Sequence, residues 1–220
     1  MYATISADIV QSTSLEIKEM LFLRSKVQEL LNKLEVSFPG FWGRLVRGDS
    51  IECVTDKPQD AFRITLILKC YVKSLNIRKS GAPKELKRFG IRSVIGLGSM
   101  RMVDREHDFM DGEAIYLSGR ALDQKATLMK GTLLVEPSES FQNKALNAIA
   151  ALVDALLNRA TARQCEVLLH RLFGEREQEI ARQLGITQSA VNQHLASAGW
   201  TPIEKALDYY ETLNFSDYEP

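Results

Sequence analysis

The 220 residues carry 28 Lys+Arg against 28 Asp+Glu, so no global basic field draws the chain to nucleic acid, and any such contact must come from a local surface. A hydrophobic content of 45% and a charged content of 25% exclude a disordered or fibrous chain. No apolar run approaches the roughly 18 residues of a membrane span and Met1-Tyr2-Ala3 leads into a strand rather than a signal peptide, which predicts a cytoplasmic protein with no membrane partner.

Thr4 to Val10 mixes β-branched and small residues before the polar Gln11-Ser12-Thr13-Ser14, and reads as a buried strand ending in a loop. From Leu15 to Val36, the residues Leu15, Leu23, Val27, Leu30, Leu31 and Leu34 recur at helical spacing until Pro39-Gly40 stops the helix. Phe41 to Val46 and Ser50 to Val54 read as a hairpin closed at Arg47-Gly48-Asp49. Asp56 to Asp60, with Pro58, starts a helix over Ala61 to Leu75. The basic stretch Arg78 to Arg88 reads as a solvated loop. Ile91 to Leu97 is a strand, Asp104 to Asp111 a polar loop, Gly112 to Leu122 a helix and Thr132 to Val135 a last strand. The three cysteines, Cys53, Cys70 and Cys165, are widely spaced among apolar neighbours and read as core residues rather than as a disulfide or metal set.

The order β-α-β-β-α-β, followed by a helix and a strand, is the α+β, ferredoxin-like pattern. Beyond Pro137 everything reads helical. Phe141 to Ala160 presents Leu146, Ile149, Val153 and Leu156 on one stripe, which serves either internal packing or dimerisation. The expected division is an α+β domain over 1–137, a linker helix over 138–160 and an all-α helix-turn-helix domain over 161–220.

Within that last part, Thr161 and Gln164 form a capping box ahead of a helix to Phe173 and Gly174. Glu175 to Leu184 is a second helix, Gly185 supplies its C-terminus, and Thr187 caps a third that runs from Gln188 to about Ser197. Ala181 is the small residue needed where two such helices cross steeply. Ile186, Val191 and Leu195 face inward, which leaves Gln188, Ser189, Asn192 and Gln193 outward. Asn and Gln amides pair with adenine edges in the major groove. Arg163, Arg171, Arg176 and Arg182 are candidates for phosphate contacts, or simply a solvated face. His194 is expected to lie partly inside and is given no chemistry.

The run from Glu179 to Leu195, with Ala181, Gly185 and Val191 at their spacing, resembles the helix-turn-helix of sigma-factor region 4 and LuxR-type regulators, over about Thr161 to Ala198. The resemblance implies DNA binding through Thr187, Gln188, Ser189, Asn192, Gln193 and Arg182, and transcriptional regulation in a bacterial-type cytoplasm. A homodimer is expected because one neutral helix-turn-helix makes too few contacts for tight binding, with the helix from Phe141 to Ala160 and the first domain as candidate interfaces.

Three phrases in the first part also belong together: Ala7-Asp8-Ile9-Val10-Gln11-Ser12-Thr13, Arg47-Gly48-Asp49-Ser50, and Asp111 to Arg120. They resemble the class III nucleotidyl cyclase domain, and more closely the SatD family, over about residues 1 to 135. The resemblance implies Asp8 and Asp49 as ligands of Mg²⁺ on a nucleotide, with Arg120 as the catalytic arginine that steadies the transition state. The pattern is broken elsewhere. Tyr116 replaces an asparagine, no lysine stands near Gly43, and Phe109 replaces a base-reading aspartate, although Asp108 and Asp111 are close by. Other readings of Asp8 and Asp49 are a loop cap and an ordinary turn residue. The combined expectation is a DNA-binding regulator with a catalytically degenerate sensory or assembly domain. Its alternative is a metal-dependent nucleotide enzyme with an accessory helical module.

Overall fold

The computed structural model describes residues 1–10, 15–46, 48–75, 90–128, 132–139 and 145–215. The readings of Gln11 to Ser14, of Arg47, and of the basic stretch Arg78 to Arg88 fall outside them.

Alternating small and β-branched residues make Tyr2–Ile9 (β1) the central strand of a five-stranded sheet. It pairs antiparallel with Ser50–Thr55 (β3) on one side and Ile91–Gly98 (β4) on the other, Asp8 lying opposite Ser50 and Arg92. Phe41–Leu45 (β2) flanks β3 antiparallel, and Leu133–Pro137 (β7) flanks β4 in parallel. The order is thus β2-β3-β1-β4-β7. Two residues per pleat repeat separate the faces: Ala3, Ile5, Ala7 and Ile9 enter the main core with Leu23, Val27 and Leu34 of Ile17–Ser37 (α1). Thr4 and Ser6 face the other way and meet the Ser118 hydroxyl at 2.9 and 2.8 Å.

Ser118 belongs to Glu113–Leu128 (α3), a helix longer than the sequence predicts. It lies directly on β4 at Gly96, where a Cβ would come within 2.2 Å of the Ala114 carbonyl oxygen. The expected loop from Asp104 to Asp111 is instead a short hairpin, Met102–Asp104 (β5) and Phe109–Asp111 (β6). Asp104 Oδ1 accepts the backbone N–H groups of Glu106 and His107, each at 3.0 Å, and Asp108 takes a left-handed φ of 54°. Strands of three residues are too short to leave a periodic signal. Met110 anchors the hairpin on Trp42 and Val54.

Ala61–Ser74 (α2) follows a short 3-10 turn over Pro58–Asp60. Ten consecutive or nearly consecutive residues of α2, from Ala61 to Val72, are buried, because the helix has the sheet on one side and further helices on the other. The helices of the second half are Ala145–Arg159 (α4), Ala162–Leu172 (α5), Glu177–Leu184 (α6), Gln188–Ala198 (α7) and Trp200–Glu211 (α8), of which α5 chiefly, and α8, pack on α2. Phe62 stacks on Tyr210 with centroids 5.2 Å apart, and Arg63 Nη2 reaches Glu211 at 2.7 Å. One apolar cluster therefore runs from the sheet through α2 into α5, α7 and α8.

A buried ion pair fastens α4 to the sheet. Lys69 Nζ on α2 lies 3.1 Å from Asp154 Oδ1 on α4 and donates to the carbonyls of Ile91 and Thr132. Asp154 also accepts from the Thr132 N–H at 2.7 Å and hydroxyl at 2.6 Å. Burial pulls the Lys69 pKa down, against the opposing pull of Asp154. Burial also pushes Asp154 upward, but Lys69 and Thr132 outweigh it and hold the carboxyl below its ordinary value. Further along α4, Asn147 acts as a strand surrogate for the edge of β7: its amide accepts from Val135 N and donates to Val135 O, both at 2.8 Å. No helix among the described residues is long and apolar enough to cross a membrane.

Candidate nucleic-acid interface

The helical unit forms as its sequence signals predict. Thr161 accepts from Gln164 N at 3.2 Å while the Gln164 side chain accepts the Thr161 N–H at 2.8 Å, which closes the capping box of α5. α6 ends at Gly185, whose φ of 63° needs no Cβ, and Ile186 N returns to the Ala181 carbonyl at 3.0 Å. Thr187 Oγ1 then accepts from Ala190 N at 3.1 Å and starts α7, which ends at Gly199. Ile180, Ala181, Val191 and Leu195 are buried at the crossing of α6 and α7.

The outer face of α7 consists of Gln188, Ser189, Asn192 and Gln193, all exposed, and Thr187 and Arg182 are exposed beside it. His194 is half-buried. Two of the four arginines offered for phosphates are committed inside the unit. Arg163 pairs with Glu166 at 2.5 Å and donates to the Leu184 carbonyl at 3.2 Å; Arg171 donates to the Glu175 carbonyl and lies over the Trp200 ring. Arg176 and Arg182 remain exposed.

Sequence reasoning missed Glu177, the first residue of α6. Its Oε2 accepts from Gln188 Nε2 at 3.4 Å and its Oε1 from Asn192 Nδ2 at 3.5 Å. No sequence signal links a residue on α6 to two on α7 unless the crossing geometry is known. Thr161 to Phe215 holds five Arg and Lys against seven Asp and Glu, and Gln188 to Ala198 holds neither Arg nor Lys. The surface is a neutral, amide-rich ridge with an acidic border.

On the sheet, Asp8 and Asp111 of the cyclase-like phrases are each held by neighbouring side chains. Asp8 sits at the end of β1 on the α3 face, and both its oxygens accept from the Arg92 guanidinium, Oδ1 from Nε at 3.0 Å and Oδ2 from Nη2. The hydrogen bonds to Asp8, and behind them the charge of Asp49, raise the Arg92 pKa. Arg44 binds Glu52 at 3.1 Å through Nε and 2.7 Å through Nη2, and its Nη1 lies 3.4 Å from Asp108. Asp111 takes the Tyr116 hydroxyl at 2.7 Å and Arg101 at 2.6 Å, and these two hold its carboxyl below the usual range. Gly43 faces the other way, toward Leu31. Arg120 lies over the Tyr116 ring at 5.5 Å and lines a groove with Ser99, Arg101, Glu113, Glu136 and Glu139, which does not include Asp8 or Asp49.

A magnesium ion at Asp8 would therefore meet a carboxylate already paired with a bidentate guanidinium, which it would have to displace. Among the described residues no group of three His, Cys, Asp or Glu converges on a cation position.

Residues 150–198 match the family described as Sigma-70, region 4. The match begins inside α4 and ends with α7. Among solved structures, the chain is similar to a bacterial light-regulated adenylyl cyclase, with 16% identity and a TM-score of 0.41 over 60% of this chain and 73% of that one. No curated protein matches.

Proposed function

We propose that this chain is a DNA-binding transcriptional regulator that reads a duplex with α7, while its sheet serves sensing or assembly rather than metal-dependent nucleotide chemistry. The observation that carries the reading is the exposed row Gln188, Ser189, Asn192 and Gln193 on a rigidly capped helix, inside residues that match Sigma-70, region 4. Amides on a helix of this kind reach base edges in the major groove, with Thr187 at the helix start and Arg182 on the preceding helix near the backbone. The sheet is read as ferredoxin-like with an added strand; the antiparallel neighbours β2-β3-β1-β4 support this. The division at 1–137, 138–160 and 161–220 is a division of tasks, since the apolar core is shared. A regulator of this kind works inside the cell and as a homodimer, because one neutral helix-turn-helix makes too few contacts for tight binding.

A binding selection from random duplexes with the full chain tests this directly. An enriched sequence is expected. Asn192→Ala or Gln188→Ala then weakens binding to that sequence by about 1 to 3 kcal/mol and leaves scrambled duplexes nearly unaffected, whereas Arg182→Ala weakens both and lowers the salt slope by about one ion. Folded protein that enriches nothing at low salt would sink DNA binding and leave a protein-interaction module, a role the acidic border would suit.

A further inference from the structure

We infer that Glu177 determines how strictly α7 discriminates between sequences; the inference rests on the DNA-binding reading above. Its carboxylate opens α6, where the helix dipole favours a negative charge. From there it reaches across the turn and takes one N–H from each of the two amides on the outer row, Gln188 and Asn192, using a different oxygen for each. At 3.4 and 3.5 Å these contacts are long, and they restrain the rotation of each amide rather than lock it. The carbonyl oxygen and the second N–H are then presented together, the donor and acceptor pair that an adenine edge requires. Exposed glutamine and asparagine side chains otherwise rotate freely and lose that freedom on binding, so the tether is preorganisation.

The same carboxylate acts on sequence-independent binding in the opposite direction. α7 has no lysine or arginine, and acids outnumber bases between Thr161 and Phe215, so attraction to the phosphate backbone is weak. A carboxylate beside the reading row weakens it further by repulsion. Glu177 therefore lowers affinity for every duplex while sharpening the choice among them. Glu177 acts here through the two amides whose N–H groups it accepts, which makes it a positioning residue.

The test compares wild type, Glu177→Gln and Glu177→Ala on two duplexes, the one enriched by wild-type selection and a scrambled one of equal composition, by fluorescence anisotropy over a salt series. Glu177→Ala is expected to bind the scrambled duplex more tightly than wild type and to lose about tenfold in the affinity ratio of enriched to scrambled. Glu177→Gln, which keeps an acceptor and loses the charge, gains the same scrambled-duplex affinity but retains more of the ratio. A ratio unchanged in Glu177→Ala, in protein whose far-ultraviolet circular dichroism matches wild type, overturns the inference and leaves DNA binding standing. A wild type that enriches no sequence overturns both.

Discussion

At the scale of single residues, charge pairing separates what a motif implies from what a side chain is able to do. Asp8 stands at a strand end where the cyclase resemblance implies a metal ligand, yet its oxygens are taken by Arg92. Wild-type protein is therefore expected to show no Mn²⁺-dependent shift in melting temperature, with or without a nucleoside triphosphate, and Arg92→Ser is expected to acquire one. A cation-dependent shift in the wild type would count against the pairing. The substitution itself should be mild, about 1 kcal/mol or less, because the Arg92 and Asp8 side chains are 34% and 22% exposed and water screens the pair. Tyr210 offers a second case. Its hydroxyl is buried without a hydrogen-bond partner among the described residues, and burial pushes its pKa far up. Tyr210→Phe keeps the stacking on Phe62 and should leave stability equal or higher, as urea melts will show, while Tyr210→Ala should cost about 3 to 5 kcal/mol.

At the scale of elements, the joint between α2, α4 and the sheet depends on one buried ion pair. Lys69→Met strands the Asp154 carboxylate in a dry site and should destabilise the protein by about 3 to 5 kcal/mol, whereas the double change Lys69→Met, Asp154→Leu should recover much of that loss. Equilibrium denaturation of the two variants decides it, and a double variant no better than the single one would argue against the desolvation account. The pH dependence follows from the lowered carboxyl of Asp154. A carboxyl held down in the folded state contributes stability that is present above its unfolded value, about 3.9, and is lost as pH falls from there through the lowered value. Wild type should accordingly lose stability in that acid window by more than Asp154→Asn does. The contact of α3 with β4 is sensitive in a different way. Gly96→Ala forces a Cβ against the Ala114 carbonyl, so α3 must move off the sheet.

At the scale of the whole molecule, α2 belongs to both halves at once. Its buried residues join the sheet core to α5 and α8, so the chain should unfold in one calorimetric transition with equal van't Hoff and calorimetric enthalpies. Two resolved transitions would mean that the helical unit folds by itself. The proposed homodimer is checked by sedimentation at micromolar concentration with the selected duplex present, where two chains per duplex are expected.

The helical unit was the most legible part of the sequence, and for a local reason. Thr161 with Gln164, Ala181, Gly185, Thr187 and the inward Val191 and Leu195 each act within one or two turns, so their spacing alone fixes caps, turn and outward row. The strands and α2 were legible as elements for the same reason, through period two and period 3.6. Partnerships between distant segments were not. The pairing of Asp8 with Arg92 depends on β4 lying beside β1 in a particular register, and that of Glu177 with Gln188 and Asn192 on the angle at which α6 crosses α7. The apolar run of α2 read only as a helix, and nothing in it indicated that the helical unit would cover one of its sides. Tertiary packing decided these matters because ion pairs and hydrogen bonds between side chains reach only a few ångströms, and only the folded chain brings residues from distant segments within that distance.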